Sequence, residues 1–385
     1  MIAEVLSGRR PPQQGLNLHR EILIINYEIL KDWVPYLISL RPQVVMFDEA
    51  HYIQNRESQR YLALRELVRE AHVPYRIAMS GTPITNRPAE LWTTAHLLWP
   101  KEFPSFIEYG FTYCHPKLVH GEWHFSGAVH LDELHDRLEK LGMIRLLKKD
   151  VMPELPPKIR RVVPVEIEDR KEYEYARDHF MPWLQLNYPT RVWRARKNPH
   201  LVKVGYLLRL VARLKRWEVA DWIDNFLAES DEKLVAFSSH SKMIHWLAHR
   251  YQDRSVVIDG TVTGIKRHHA VDRFQNTSSI RLALCNPRAG GIGITLAKAS
   301  NVVYVDFPWT PGTLKQGEDR IHRIGQTKQC FVWFLAARDT IEEKLCRLLQ
   351  TKQKILDELL DGITTGKDFD LFNELFKPTK PHGRS

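Results

Sequence analysis

The stretch Val44-Val-Met-Phe-Asp-Glu-Ala-His51 places four apolar residues directly before two carboxylates. An apolar run of this length predicts a buried strand of a parallel sheet. Polar residues that follow such a strand lie at the carboxyl edge of the sheet, where α/β proteins bind ligands. In a nucleotide hydrolase the first acid can hold Mg²⁺ through water, and the second can orient or deprotonate the attacking water. The alternative is an ordinary helix N-cap, in which Asp48 accepts backbone N–H groups.

Apolar runs that alternate with helix-period segments surround this stretch. Residues 22–26 and 76–79 are predicted strands, and residues 58–70 carry an apolar stripe at helical spacing. A second alternation, from residue 233 to about residue 349, contains five further predicted strands. Strand, helix, strand is the pattern of βαβ units, so the sequence predicts two α/β units.

The composition is that of a folded, basic protein. Of the 385 residues, 43% are hydrophobic and 26% charged, which excludes disorder, collagen-like repeats and membrane-spanning bundles. A net charge of +10 favours polyanionic partners, nucleic acid above all. Four separated cysteines without a CxxC pair are typical of a reducing, intracellular compartment. The longest apolar runs are only strand-sized, so no membrane association is expected.

Residues 191–216 form a strongly basic run with nine Lys or Arg side chains and no acidic one. Arg209, Arg213 and Arg216 follow one another at spacings of four and three residues, which predicts one helix face. A cationic face suits contact with DNA phosphates. A solvated helix face that only keeps the protein soluble is the alternative.

Three further segments combine predicted strand ends with small or basic residues. Ser80-Gly-Thr-Pro83 follows a strand, and residues 288–295 contain three glycines whose backbone N–H groups can approach phosphate oxygens. In Gln316-Gly-Glu-Asp-Arg-Ile-His-Arg-Ile-Gly-Gln326, Arg320 and Arg323 are predicted to share one helical face and to stabilise a polyphosphate. Taken singly, each segment also fits an ordinary structural role. The Ser80 and glycine segments could be simple turns, and the arginines could be paired with neighbouring acidic residues.

In this order, the segments resemble the Swi/Snf-related group of superfamily two helicase-like ATPases over nearly the whole chain. The most specific pieces are Asp319-Arg-Ile-His-Arg-Ile-Gly-Gln326, Phe307-Pro-Trp-Thr-Pro311 and Ile258-Asp-Gly-Thr261. Within the group, Ser80-Gly-Thr-Pro-Ile-Thr-Asn-Arg-Pro-Ala-Glu-Leu91 is most similar to the annealing-helicase branch, which rewinds or remodels forked DNA. The resemblance therefore implies a DNA-dependent ATPase that uses ATP and Mg²⁺ on double-stranded or forked DNA.

The resemblance also implies an α/β fold of two RecA-like lobes with parallel sheets and helical insertions between them. Residues 1–98 would form a partial, truncated first lobe, and residues 99–230 a helical insertion and basic linker region. Residues 231–349 would form the second lobe, and residues 350–385 a C-terminal helix end and tail.

Each motif residue receives a role from the resemblance. Asp48 would serve the Mg²⁺ site through water, Glu49 would act on the attacking water, and Arg320 and Arg323 would be arginine fingers. The remaining roles are nucleotide contact for Gln316, Gly291, Gly293 and Asp319, coupling of hydrolysis to lobe movement for His51, Ser80 and Thr82, and DNA contact for Arg209, Arg213, Arg216, Thr295 and Trp309.

One part that the family requires is missing from the sequence. The phosphate loop, GxxxxGK[ST], must lie upstream of Asp48, and the 47 preceding residues contain no such pattern. We therefore expect exposed sheet edges in the first lobe and an N-terminal motor half that is missing or separately encoded. A catalytically inactive DNA-binding scaffold and an RNA helicase fragment are the alternative functions. In each case the expected location is intracellular, in the cytoplasm or nucleoid, or in the nucleus.

Overall fold

The computed structural model describes residues 3–11, 21–84, 87–119, 121–197, 199–287, 294–345 and 349. These residues fall into two compact units, the first ending at Met143 and the second beginning at Ile144. The structure thus divides the chain differently from the limits predicted at residues 98 and 230. The reason is packing, because Tyr109, Tyr113 and Leu134 are buried in the core of the first unit. The predicted tail, residues 350–385, lies outside the described residues.

The described part of the first unit combines short strands with amphipathic helices. Its strands are β1 (Ala3–Val5), β2 (Ile22–Ile24), β3 (Val44–Phe47), β4 (Tyr75–Ala78), β5 (Lys117–Val119) and β6 (Glu122–His124). Its helices are α1 (Tyr27–Ser39), α2 (Gln59–Glu70), α3 (Trp92–Leu98), α4 (Phe106–Tyr113) and α5 (Leu131–Lys140). Strands β1 and β2 form one parallel pair, β3 and β4 form another, and β5 and β6 form an antiparallel hairpin.

Local sequence explains where helix α2 begins and which face it buries. The hydroxyl of Ser58 accepts a hydrogen bond from the N–H of Tyr61 at 3.3 Å and so caps α2. Leu64, Leu67 and Val68 lie three to four residues apart and are buried on one side of this helix. The predicted stripe is therefore the face that α2 turns to the core.

The apolar spacing of residues 131–147 predicts one amphipathic helix, but the helix in the structure is shorter. Helix α5 ends at Lys140, and Gly142 follows with a φ of 104°. A positive φ is readily adopted only by glycine, and a glycine in this conformation commonly stops a helix.

The second unit is built on a six-stranded sheet with only parallel pairs. Its strands are β7 (Lys158–Val165), β8 (Leu234–Phe237), β9 (Ser255–Ile258), β10 (Leu282–Cys285), β11 (Asn301–Tyr304) and β12 (Cys330–Ala337), in the spatial order β7-β12-β11-β8-β10-β9. Its helices are α6 (Lys148–Val151), α7 (Arg170–Asp178), α8 (Phe180–Asn187), α9 (Val192–Lys197), α10 (Pro199–Leu214), α11 (Arg216–Glu229), α12 (Ser241–Arg250), α13 (Gly264–Asn276) and α14 (Pro311–Glu318). The five strands predicted from residue 233 onward are all present.

An edge strand lies where the sequence predicted helical insertion. Strand β7 pairs with β12 over eight residues, from Lys158 opposite Cys330 to Val165 opposite Ala337. Its sequence mixes three basic residues with apolar ones and includes Pro164, which an edge strand tolerates. The central strands β8, β10 and β11 are fully buried, as is usual for a parallel sheet covered on both faces.

No helix within the described ranges combines the length and the apolar content needed to cross a bilayer.

Candidate nucleotide and DNA sites

Strands β3 and β4 bring two of the predicted motifs to one edge of their sheet. Phe47 lies opposite Ala78 in the parallel register, so Asp48 and Ser80 both follow at the carboxyl edge. The N–H of Met79 donates to the carbonyl of Phe47 at 3.0 Å, and the N–H of Ala50 donates to the carbonyl of Met79 at 2.9 Å. These two backbone hydrogen bonds hold the acidic segment against the Ser80 turn.

The acidic segment has a constrained backbone. Glu49 has φ 49° and ψ 53°, a left-handed conformation that costs a non-glycine residue about 1–2 kcal/mol. The carboxylate of Asp48 accepts the N–H of Glu49 at 2.8 Å, and the hydroxyl of Tyr27 donates to the Asp48 carbonyl at 2.8 Å. The Nδ1 atom of His51 lies 3.2 Å from a carboxylate oxygen of Glu49. Together these contacts fix the direction of both carboxylates.

The chemistry of this segment fits a magnesium ion that is shared with a phosphate ligand. Mg²⁺ commonly binds one or two protein carboxylates and completes its shell with water and phosphate oxygens. Asp48 is exposed at the strand end and offers such an oxygen. Among the described residues no group of three or more His, Cys, Asp and Glu side chains could hold a metal. Asp48 would hold such an ion together with water and phosphate oxygens.

Tyr27 is kept protonated beside the acidic segment. Burial raises the pKa of the Tyr27 phenol above its ordinary value, and the negative charges of Asp48 and Glu49 raise it further. The hydroxyl thus remains a donor to the Asp48 carbonyl at any ordinary pH.

The Ser80 turn closes on itself through a side-chain hydrogen bond. The hydroxyl of Ser80 accepts the N–H of Thr82 at 3.1 Å, and Thr82 is buried. The predicted coupling residues His51, Ser80 and Thr82 therefore all lie in the first unit near the edge that carries Asp48. Their coupling role stays a prediction.

In the second unit the two predicted arginine fingers converge, although not on a helix. Helix α14 ends at Glu318, and the residues after it form turns, so the expected helical face is wrong. Gly325, with a φ of 92°, belongs to these turns. The guanidiniums of Arg320 and Arg323 nevertheless both donate to the carbonyl of Ile294, each at 3.3 Å.

A cluster of basic residues that the sequence did not single out anchors this arginine segment. Glu318 is fully buried and is paired with Lys158 and with Arg160, whose Nη2 lies 2.7 Å from the carboxylate. Burial raises the pKa of Glu318, but these two cations outweigh that effect and hold the pKa below its ordinary value. Lys148 donates to the carboxylate of Asp319 at 2.6 Å and to the carbonyl of His322 at 2.6 Å.

The structure also locates the remaining nucleotide-site predictions. Asp319 is engaged by Lys148, and Gln316 lies half-buried on α14. Gly291 and Gly293 lie outside the described residues. In the sequence, the basic residues that hold Glu318 are visible only as the short run Lys158-Ile-Arg-Arg161 after two prolines.

The carboxyl ends of β8, β10 and β11 border a cavity of about 320 Å³ in the second unit. It brings together two of the predicted DNA-binding residues, Arg209 and Trp309. The other lining residues are polar or apolar, with no acidic side chain among them: Gly205, Leu208, Ser239, His240, Asn286, Pro287, Phe307, Pro308, Thr310 and Thr313. Asp306, which is buried, accepts the N–H of Ser239 at 2.7 Å and so joins two of the bordering strand ends.

The other predicted DNA-binding residues lie elsewhere. Helix α10 ends at Leu214, so Arg216 belongs to α11 and does not share one helix with Arg209 and Arg213. Arg213 is paired with Glu172 of α7 at 2.6 Å, an acid outside the basic run. The guanidinium of Arg216 lies 5.6 Å from the ring centre of Trp217.

Thr295 is half-buried, and its carbonyl accepts a hydrogen bond from Gln275 at 3.0 Å. It is not one of the described residues that line the cavity. Ser239, His240 and Asn286, which sequence reasoning missed, are brought to the cavity by strand ends that are distant in sequence.

Comparison with known proteins identifies the family. Residues 5–211 match the SNF2-related domain, and residues 218–325 match the helicase conserved C-terminal domain. The mouse (Mus musculus) DNA annealing helicase and endonuclease ZRANB3 is 32% identical over 366 residues, which cover 92% of this chain and 33% of that protein. The SWI/SNF-related matrix-associated actin-dependent regulator of chromatin subfamily A-like protein 1 of Xenopus tropicalis is 30% identical over 358 residues, covering 92% of this chain and 36% of that one.

Among solved structures, the Sulfolobus solfataricus SWI2/SNF2 ATPase core in complex with dsDNA is 23% identical, with a TM-score of 0.42. The match covers 94% of this chain and 77% of that one. The chain spans about a third of the length of the two curated relatives. The resemblance inferred from the motifs is confirmed, because the SNF2-related domain alone matches more than half of the residues. The chain belongs to the SNF2-related family.

Proposed function

We propose that the chain is the C-terminal part of an ATP-driven DNA translocase that remodels or reanneals duplex DNA inside the cell. The observation that carries this proposal is the convergence of Arg320 and Arg323 on the carbonyl of Ile294, within the family's arginine motif. In the described part of the chain, the guanidinium of Arg323 has this carbonyl as its hydrogen-bond acceptor and is paired with no carboxylate. Its remaining N–H groups can serve an anionic ligand.

The acidic segment of the first unit and the arginine segment of the second each carry groups that phosphoryl transfer requires. When bound, ATP with Mg²⁺ supplies the phosphoanhydride bond and the leaving group. Asp48 would hold the cation through water, and Glu49 would orient a water and accept its proton at the carboxylate. Arg320 and Arg323 neutralise charge on the phosphoryl oxygens. The strained backbone at Glu49 supports this assignment, because strained residues cluster at functional sites.

An uncovered sheet face supports the view that the phosphate loop comes from a segment outside these 385 residues. Val44, Met46, Tyr75 and Ile77 lie on one face of the β3–β4 pair and are 43–66% exposed. Val5, Ile22 and Ile24 give the β1–β2 pair a similar exposed face. Parallel sheets are normally covered on both faces. We infer that the N-terminal half of the motor, as a separate chain or a preceding segment, covers this face and carries the loop.

The cavity in the second unit supports contact with the DNA backbone. Its described lining contains Arg209 and His240 but no acid, and Ser239, Asn286 and two threonines add hydrogen-bonding groups. Such a set suits phosphodiester oxygens, which accept hydrogen bonds and carry negative charge. Trp309 adds an aromatic surface that can pack against a sugar or base. The names of the relatives give no support to the scaffold or RNA-helicase alternatives.

The first test is DNA binding by the purified chain at several salt concentrations. Arg209→Ala is expected to lower the slope of log affinity against log salt by about 0.9 with forked duplex DNA, because one phosphate contact is lost. Arg213→Ala is the matched control, since its guanidinium is occupied by Glu172, and it should change the slope less. A chain that binds no DNA would contradict the proposed motor.

The second test is ATP hydrolysis with and without forked duplex DNA, with Glu49→Gln as the control for contaminating enzymes. We expect little hydrolysis by the chain alone, and DNA-stimulated hydrolysis when a polypeptide that carries the phosphate loop is co-expressed. Activity of the chain alone that Glu49→Gln abolishes would contradict the externally supplied loop but not the motor. Inactivity of the co-expressed pair would contradict the motor itself.

A further inference from the structure

A second cavity, of about 350 Å³, lies within the first unit and is not part of the nucleotide edge. Its volume falls in the range of about 300–1,000 Å³ that is usual for small-molecule sites. Four segments form its walls: residues 54–57 after the acidic segment, residues 87–93, helix α4 and the β5–β6 hairpin. None of the roles derived from the family motifs uses this cavity.

Aromatic rings form much of the wall. Phe106 of α4 and Phe125 after the hairpin meet edge to face, with ring centres 5.0 Å apart. Phe111 meets Trp123 at 5.0 Å, and Trp123 is 50% exposed at the cavity although it is a large apolar side chain. The packing depends on Gly110, because a Cβ atom there would lie 2.5 Å from the Phe125 ring. The hairpin is thus held tightly against α4 while Trp123 stays accessible.

The polar groups of the wall favour a neutral, flat ligand. Two arginines, Arg56 and Arg87, are balanced by two acids, Glu57 and Glu90, so the lining has no net attraction for phosphate. The guanidinium of Arg56 lies 4.1 Å from the ring centre of Phe106. This planar cation adds a second flat surface beside the aromatic rings of the wall.

One buried donor in the wall lacks an acceptor. Trp92 is only 6% exposed and lines the cavity, and its indole N–H has no hydrogen-bond partner among the described residues. A buried donor without an acceptor is costly, so such a group points to a ligand that supplies one. The ring nitrogens and carbonyl oxygens of a nucleobase are acceptors of this kind.

We propose that this cavity receives an unpaired nucleobase of a DNA strand, stacked on Trp123 and hydrogen-bonded by Trp92. The inference rests on the proposed function, which makes DNA the substrate. It adds that the first unit distinguishes unpaired strands, such as those at a fork, from continuous duplex. Base stacking on aromatic side chains is the general means by which proteins bind single strands without sequence preference.

The position of the cavity along the chain links it to the nucleotide edge. Gln54, in one wall of the cavity, lies three residues after His51, and Arg87, in another wall, lies five residues after Thr82. Two walls are therefore continuations of the two segments that meet at the carboxyl edge of β3 and β4. A base that orders these walls also orders the segments that carry the acidic pair and the Ser80 turn.

The test compares three fluorescent probes of equal length: an oligothymidylate, its abasic analogue and a continuous duplex. Trp123→Ala is expected to weaken binding of the oligothymidylate about tenfold by loss of one stacking contact, and to leave abasic and duplex binding unchanged. Trp123→Phe should retain most of the affinity. An oligomer with one 2-aminopurine should lose fluorescence on binding the unmodified chain, and lose much less on binding Trp123→Ala.

Leu118→Ala is the matched control, because Leu118 lies opposite Trp123 in the same hairpin, is 60% exposed and does not line the cavity. It should leave all three affinities unchanged. If Trp123→Ala weakens all probes equally, or none, the base site is wrong while the motor stands. If the unmodified chain binds no probe at all, including duplex, then the proposed function fails and the base site fails with it.

Discussion

Lys215→Met is expected to destabilise the second unit by about 3–5 kcal/mol at pH 8, the usual cost of removing one partner of a buried ion pair. Lys215 and Glu342 each have 0% exposed side chains. The ammonium of Lys215 donates to the Glu342 carboxylate at 2.5 Å and to the carbonyl of Leu335 at 2.7 Å. The pair joins the end of α10 to the helical residues 341–345 that follow β12.

The size of the effect follows from what remains after the substitution. Without Lys215, the carboxylate of Glu342 keeps one hydrogen bond, from the N–H of Ala337 at 3.2 Å. Its second oxygen is buried and has no partner among the described residues. Burial raises the pKa of Glu342 from 4.5 to about 7 although Lys215 lowers it. Loss of the ammonium must raise this pKa further, because only the charge that opposed the effect of burial is removed.

The sign of the pH dependence is therefore fixed. A carboxyl whose pKa is raised in the folded state stabilises the fold below its unfolded pKa, and this stabilisation is lost as the pH rises through the folded pKa. For the unmodified chain this loss amounts to about 3 kcal/mol between pH 4.5 and 7, at 1.36 kcal/mol per pKa unit. In Lys215→Met the loss continues to higher pH. The cost of the substitution should thus be much smaller at pH 5 than at pH 8.

The assay is urea unfolding at both pH values, with hydrogen exchange of β12 amides to assign the effect to the second unit. Lys215→Met combined with Glu342→Gln should recover most of the stability, because no charge is left buried. Lys328→Met is the surface control: Lys328 pairs with Glu232 at 3.0 Å but is 63% exposed, so the cost should stay below about 1 kcal/mol. A cost for Lys215→Met below about 1 kcal/mol at pH 8, or an equal cost at both pH values, would show that Glu342 does not depend on Lys215 for its charge.

Two further substitutions test the packing of each unit. Gly110→Ala should destabilise the first unit by about 1–3 kcal/mol in thermal unfolding, because its Cβ would lie 2.5 Å from Phe125. The control is Gly205→Ala in α10 of the second unit, where a Cβ would meet no atom beyond the backbone of its own helix within 4 Å, and it should cost much less. Equal costs for the two substitutions would contradict the close contact at Gly110. Glu318→Gln should cost about 3 kcal/mol in urea at pH 7, because Lys158 loses its buried partner. Since the pKa of Glu318 is lowered, this cost should shrink as the pH falls below 4.5, and a cost that grows in acid would contradict the ion pair.

The parts of the fold that the sequence predicted are those that depend on local pattern. The four apolar residues 44–47 form β3, and the hydroxyl before the helical stripe caps α2. The strands of the second unit were predictable because a parallel sheet covered on both faces needs continuous apolar runs, and β8, β10 and β11 are such runs. These strands and the helix cap could be predicted without knowing which distant residues they contact.

What the sequence did not predict depends on partners far along the chain. Strand β7 has an edge-strand pattern that is hard to separate from a loop, and only its pairing with β12, about 170 residues later, makes it a strand. The basic run lacks acidic residues in sequence, yet Arg213 finds Glu172 on another helix. Arg320 and Arg323 were predicted to meet by helical spacing, but they meet because turns bring both to Ile294.

Other long-range contacts join the arginine segment to the first residues of the second unit. This unit begins at Ile144, and Lys148 already holds Asp319 and the carbonyl of His322. Ten residues later, the first residue of β7 is paired with Glu318. The arginine motif is therefore held at two points by residues 148–158, at the beginning of the second unit. Because the carboxylate of Glu318 is buried in its pair with Lys158, and such a pair is costly to break, we expect residues 148–158 and the arginine motif to move as one body.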